Sequence, residues 1–174
     1  MKKVKILLFI TTTIFIFTGC TSEERQINNN LKSATDLKEI TGKITKATLN
    51  DDGKVVIKQS DITDKVTYIN YEYENKQIGL LAVKDSKGQI KVVINTCQSC
   101  IGSPYAYFVQ VGDKIECQNC GSMFDIDELD NLVAFGCNPI EIKDKKNSKG
   151  IITIGTEQLK NLEDKFTNWE GPKL

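Results

Sequence analysis

Past residue 40 the chain alternates short β-branched and aromatic runs with turn residues, which is the pattern of a β protein. Val66 to Tyr73 alternates and predicts a half-buried strand, with Tyr71 and Tyr73 on one face and Tyr68 on the other; ordinary packing accounts for all three rings. Lys43 to Leu49 and Lys54 to Lys58 flank Asn50-Asp51-Asp52-Gly53 and predict a hairpin. Asn75-Lys76 turns the chain into Ile78 to Val83, and Asp85-Ser86-Lys87-Gly88 turns it again into Ile90 to Ile94. This meander delivers Asn95-Thr96-Cys97 at a strand end. Tyr105 to Val109 and Lys114 to Glu116 predict another hairpin, turning at Val111-Gly112-Asp113. Ile140 to Ile142 and Ile151 to Ile154 predict a further one around a solvated, lysine-rich turn from Lys143 to Gly150. Thr156 is placed to cap a closing helix from Glu157 to Phe166, with Leu159, Leu162 and Phe166 on one face. A short helix is also expected from Ser33 to Ile40. The fold class expected is mainly β (α+β), an antiparallel meander with hairpins and a short C-terminal helix.

The N-terminus has a different character. Lys2, Lys3 and Lys5 precede an apolar run from Ile6 to Phe17, too short to span a bilayer comfortably and of the form of an export signal. Phe17-Thr18-Gly19-Cys20 resembles a bacterial lipobox, with Phe where an aliphatic residue is usual. Three segments are therefore expected: a lipoprotein signal peptide over 1–19, a lipidated Cys20 with a polar tether over 20–42, and one β-rich domain over 43–174. Acyl chains contribute about 0.8 kcal/mol per buried CH₂ and anchor durably when two or more are attached. The expected location is the extracytoplasmic face of the bacterial cell membrane.

Charge and composition narrow the chemistry. The signal carries three of the 23 basic residues and none of the 23 acidic ones, so the mature chain is mildly acidic and does not suit nucleic acid. Histidine is absent, which excludes Cys₂His₂ zinc, Rieske clusters, haem attachment through CxxCH, and His-dependent hydrolysis. Nucleophile-elbow, zincin, dinucleotide-binding and P-loop motifs are missing as well, and no enzyme activity is expected.

What remains is cysteine. Cys97-Gln-Ser-Cys100 is followed after sixteen residues by Cys117-Gln-Asn-Cys120-Gly121, and Cys137 follows after sixteen more. Each CxxC hook offers two sulfurs from one turn while backbone N–H groups damp their charge, and Gly121 can take the positive φ this requires. A hairpin between the hooks brings them together, as in rubredoxin and zinc-ribbon sites. Zn²⁺, iron and an iron-sulfur cluster all fit this spacing. Structural disulfides and dithiol exchange are the rival readings, although five mature cysteines leave an odd thiol. Cys137 lies in Phe135-Gly136-Cys137-Asn138-Pro139, where Gly136 and Pro139 constrain a turn able to aim a fifth sulfur at the centre. A fifth thiolate would favour a cluster or soft metal over closed zinc.

Asn95-Thr-Cys97-Gln-Ser-Cys100, Tyr107, Cys117-Gln-Asn-Cys120-Gly121-Ser-Met-Phe124 and Gly136-Cys137-Asn138-Pro139-Ile140 together resemble the FtrD-like membrane iron-sulfur domain family. Cys97, Cys100, Cys117, Cys120 and Cys137 match its cysteine pattern one by one. Position 95, often acidic in the family, is asparagine here. The resemblance implies a membrane-associated iron-sulfur protein, linked in some members to iron uptake beside a permease. Many members carry several transmembrane helices, whereas this chain reads as the separate domain on a lipid anchor. The expectation is thus a metal-thiolate protein carrying an iron-sulfur cluster or iron, acting in electron transfer or iron handling with a membrane permease or redox partner; a zinc- or disulfide-stabilised binding module without redox activity is the alternative.

Overall fold

The computed structural model describes residues 37–174. The expected signal peptide, the expected lipidation site Cys20 and most of the expected tether lie outside the described residues. Of the helix expected from Ser33 to Ile40, the described part, from Leu37 onward, is not helical.

Twelve strands form three sheets among the described residues. The five-stranded sheet contains β1 (Lys43–Lys46), β4 (Thr67–Tyr73), β5 (Lys76–Lys84), β6 (Ile90–Ile94) and β10 (Ile140–Glu141), in the order β1-β4-β5-β6-β10. Its centre is the expected antiparallel meander of β4, β5 and β6. The four-stranded sheet has β11 (Lys145–Ser148), β12 (Ile151–Ile154), β3 (Val55–Lys58) and β2 (Thr48–Leu49), in that order. The third joins β7 (Phe108–Val111), β8 (Lys114–Cys117) and β9 (Met123–Asp125).

The central meander is covered on both faces. Ile69, Tyr71, Ile78, Leu80, Val92 and Ile94 pack with Val55, Ile57, Ile152 and Ile154 of the four-stranded sheet. Tyr68, Leu81, Val83 and Val93 pack with Phe108, Ile115, Cys97 and Cys117 of the cysteine region. Strand β4 is therefore buried on both sides from Thr67 to Tyr71, not half-buried as its alternation suggested. The alternation assigns residues to two cores instead of to core and solvent. Tyr71 and Tyr73 share a face, with stacked rings 6.5 Å apart, and Tyr68 lies in the other core. Leu80 and Leu81 are both fully enclosed, each contributing roughly 1.5–3 kcal/mol of burial.

Three expectations are corrected. The run from Lys43 to Leu49 does not form one arm of a hairpin: β1 leaves to pair in parallel with β4, and only Thr48–Leu49 pairs with β3. The segment from Lys143 to Gly150 is not a plain turn. It contains β11, an edge strand whose Lys146, Asn147 and Ser148 are exposed and discourage further pairing, while β10 joins β6. The closing helix is broken into α1 (Glu157–Lys160) and a 3-10 turn over Glu163–Phe166. Thr156 makes no side-chain cap there; its hydroxyl donates to the Gly53 carbonyl instead. Leu159 and Phe166 are still buried, with Leu162 packed beside them. No described helix is long and apolar enough to cross a membrane.

Candidate metal centre

The two cysteine hooks are strapped to adjacent residues. The N–H of Cys97 donates to the Ala106 carbonyl at 3.0 Å, and the N–H of Gln118 donates to the Tyr107 carbonyl at 2.8 Å. Cys97 follows the end of β6, Cys117 ends β8, and the β7-β8 hairpin places Cys117 opposite Phe108. These constraints make the hooks converge: the sulfurs of Cys97, Cys100, Cys117 and Cys120 all lie within 4.8 Å of one another. All are free thiols, and so is Cys137.

The turns have the expected geometry. Cys100 N–H returns to the Cys97 carbonyl at 3.1 Å, and Gly121 N–H returns to the Cys117 carbonyl at 2.8 Å. Gly121 has φ +73°, as its place after the second hook anticipated. Tyr107 is buried and meets Trp169 edge-to-face at 6.2 Å.

Cys137 is not part of the mutually close set of four. Its loop nevertheless braces the first hook: Ser99 N–H donates to the Gly136 carbonyl and Gln98 N–H to that of Asn138. The Gln98 side chain donates to the Pro139 and Val133 carbonyls. Gly136 and Pro139 thus act through their backbones on the first hook, and Cys137 packs at the edge of the second core.

The electrostatics favour shared protons or a cation. The Cys117 sulfur is pulled below the ordinary thiol range by a hydrogen bond from Cys97, against burial, with help from the N–H groups of Cys120 and Asn119. Cys97 is pushed up by that same bond to Cys117 and by burial. Burial, together with the neighbouring Cys117 charge, raises Cys100 to about 12. Four thiolates this close repel strongly in a partly buried pocket, and a bound metal ion is what neutralises them. Cys120 is the exposed member, with Ser122 Oγ 3.3 Å from its sulfur.

Residues 61–166, more than half of the chain and including all five of these cysteines, match the family described as FtrD-like, membrane iron-sulfur containing protein. The chain belongs to this family. No curated protein and no solved structure matches it. In this FtrD-like chain the donor set suits a thiolate-bound metal: four sulfurs within 4.8 Å of one another, with no carboxylate in the set.

Several supporting residues escape a motif reading. Gln98 and Gln118 occupy equivalent positions in the two hooks, and the repeated Cys-Gln-x-Cys pattern was the available signal. Gln118 accepts from Lys38 N–H at 2.6 Å, tying the start of the described chain to the second hook. Asn95 accepts from Phe108 N–H through Oδ1, and Trp169 reaches its carbonyl from the far end of the chain.

Proposed function

We propose that this protein is a lipid-anchored, extracytoplasmic metal-thiolate carrier that holds iron on Cys97, Cys100, Cys117 and Cys120 and passes electrons, or hands over iron, for a neighbouring membrane complex. The observation that carries this reading is the four-sulfur set within 4.8 Å. A tetrahedral ion with bonds of about 2.3 Å sets its sulfurs roughly 3.8 Å apart, so the set closes on one ion with small rotamer shifts. A cluster distributes the same thiolates over several irons and needs wider separations, so the compactness supports a single ion. The family description, iron-sulfur containing, supports iron; the single-ion reading departs from the cluster it implies on the ground of the sulfur spacing.

Iron in such a site supplies a one-electron couple. The chain's own residues do the rest. Three sulfurs are enclosed and one, on Cys120, reaches the surface, which leaves a short path for an electron while excluding water from the other ligands. N–H groups of Asn119 and Cys120 and the Ser122 hydroxyl are positioned to donate to sulfur and so to stabilise the more negative reduced state.

Anaerobic purification followed by iron and acid-labile sulfide analysis and a potentiometric titration tests this. One reversible one-electron wave with iron and no sulfide is expected. A colourless protein with stoichiometric zinc and no wave would establish the structural-module reading, since a closed four-thiolate set also suits zinc.

A further inference from the structure

The most exposed aromatic side chain among the described residues stands beside the first hook. Phe135 is 89 % exposed and its neighbour Val133 is 64 % exposed, with Ile101, just past Cys100, at 40 %. They border a groove of about 860 Å³ whose rim carries Lys143 and Lys165 against one acidic side chain, Glu141. The loop is held in place: Val133 O accepts from Gln98 Nε2 and Asn138 Nδ2, and Gly136 O accepts from Ser99 N–H. Its apolar tip is therefore displayed by a braced backbone. Of the acidic residues just before it, Asp130 is paired with Lys91 and Lys145, while Asp127 and Glu128 keep their charge and hydrogen-bond Ser86 and Asn131.

We propose that the Val133–Phe135 loop and its lysine rim form a bilayer-facing surface that sets the metal-centre end of the domain against anionic lipid. The inference rests on the anchor reading of Cys20. Sixteen residues separate Cys20 from Leu37, which at ~3.3–3.6 Å each allows roughly 55 Å at most and confines the domain to the membrane surface. The chain enters the domain at the metal centre, where Lys38 N–H binds Gln118 of the second hook. The tether thus leads to the end of the molecule where the hooks converge, and the Phe135 loop is braced on the first of them. An exposed aromatic flanked by lysines suits the headgroup boundary, the ring lying among acyl chains and the ammonium groups among phosphates.

The test uses the full lipidated chain with Phe135→Trp in vesicles of equal parts phosphatidylcholine and phosphatidylglycerol carrying brominated acyl chains. Trp169, 2 % exposed, gives a constant background measured in the parent protein. The added emission is expected to shift to the blue and to fall about twofold under bromine quenching, and Lys143→Glu with Lys165→Glu should reverse most of that loss. Flotation of the same samples reports anchoring separately. Protein that floats with vesicles while the added indole stays unquenched overturns the proposal, leaves the anchor intact and assigns the patch to a protein partner. Protein that does not float overturns the anchor reading and this surface with it.

Discussion

The indole Nε1 of Trp169 donates to the carbonyl oxygen of Asn95 at 3.0 Å, joining the end of the chain to the strand end that carries Cys97. Trp169 lies outside the family-matched segment of residues 61–166, yet it is buried and packs on both Tyr107 and Phe166. Replacing it by Phe keeps most of the volume and orphans a buried carbonyl, a loss of about 1–3 kcal/mol. Trp169→Phe should therefore lower the urea midpoint and speed metal loss to a chelator. Unchanged values for both would show that the tail does not support the first hook.

Gly79 makes room for that indole. A Cβ on Gly79 would meet the ring at 2.5 Å, and Gly171 crowds the ring as closely. Gly79→Ala should destabilise by about 1–3 kcal/mol through overpacking, and less in a Trp169→Phe background. Denaturation of the two single variants and the double variant checks this; strict additivity would mean that Gly79 and Trp169 are not coupled.

Ser122 Oγ lies 3.3 Å from the exposed Cys120 sulfur. When Cys120 is a thiolate ligand the hydroxyl can only donate to it, which favours the reduced state. A hydrogen bond of about 0.5–1.5 kcal/mol corresponds to ~20–60 mV for one electron. Ser122→Ala should shift the potential negative by that amount with metal content unchanged. A shift to positive values would contradict the assignment.

Lys91 is almost buried and bridges Asp85 at 3.4 Å and Asp130 at 2.5 Å. Burial opposes the Asp130 charge, but the hydrogen bond from Lys91 and the Lys145 charge outweigh it and hold the carboxyl below its ordinary value. Its stabilisation is full above the unfolded value of about 3.9 and disappears as pH falls through the lower, folded value. Because Asp130 is half exposed, the effect stays below ~1 kcal/mol. Asp130→Asn should lower the urea midpoint near neutrality, and the gap from the parent protein should close in acid. A gap independent of pH would place the effect in packing instead.

Local signals carried the meander, the β7-β8 hairpin and the hooks, because alternation and turn residues act over a few positions. They could not reveal long-range pairing. The parallel match of Lys43–Lys46 with Thr67–Asn70 has no turn to announce it, and Lys145–Ser148 looks like loop because only one edge of it is paired. The same limit applies at the metal centre. Cys97, Cys100, Cys117 and Cys120 were legible from spacing, whereas Trp169 reaches Asn95 across 74 positions. Cys137 had the right company in sequence, but its neighbours Gly136 and Asn138 are the groups that touch the first hook.

X-ray absorption at the metal edge, on protein purified without oxygen, bears most directly on the central claim. One iron per chain, with four sulfurs at about 2.3 Å and no second metal nearby, is the expected result. Metal–metal scattering, or a metal-free protein with Cys97, Cys100, Cys117 and Cys120 oxidised to disulfides, would contradict it.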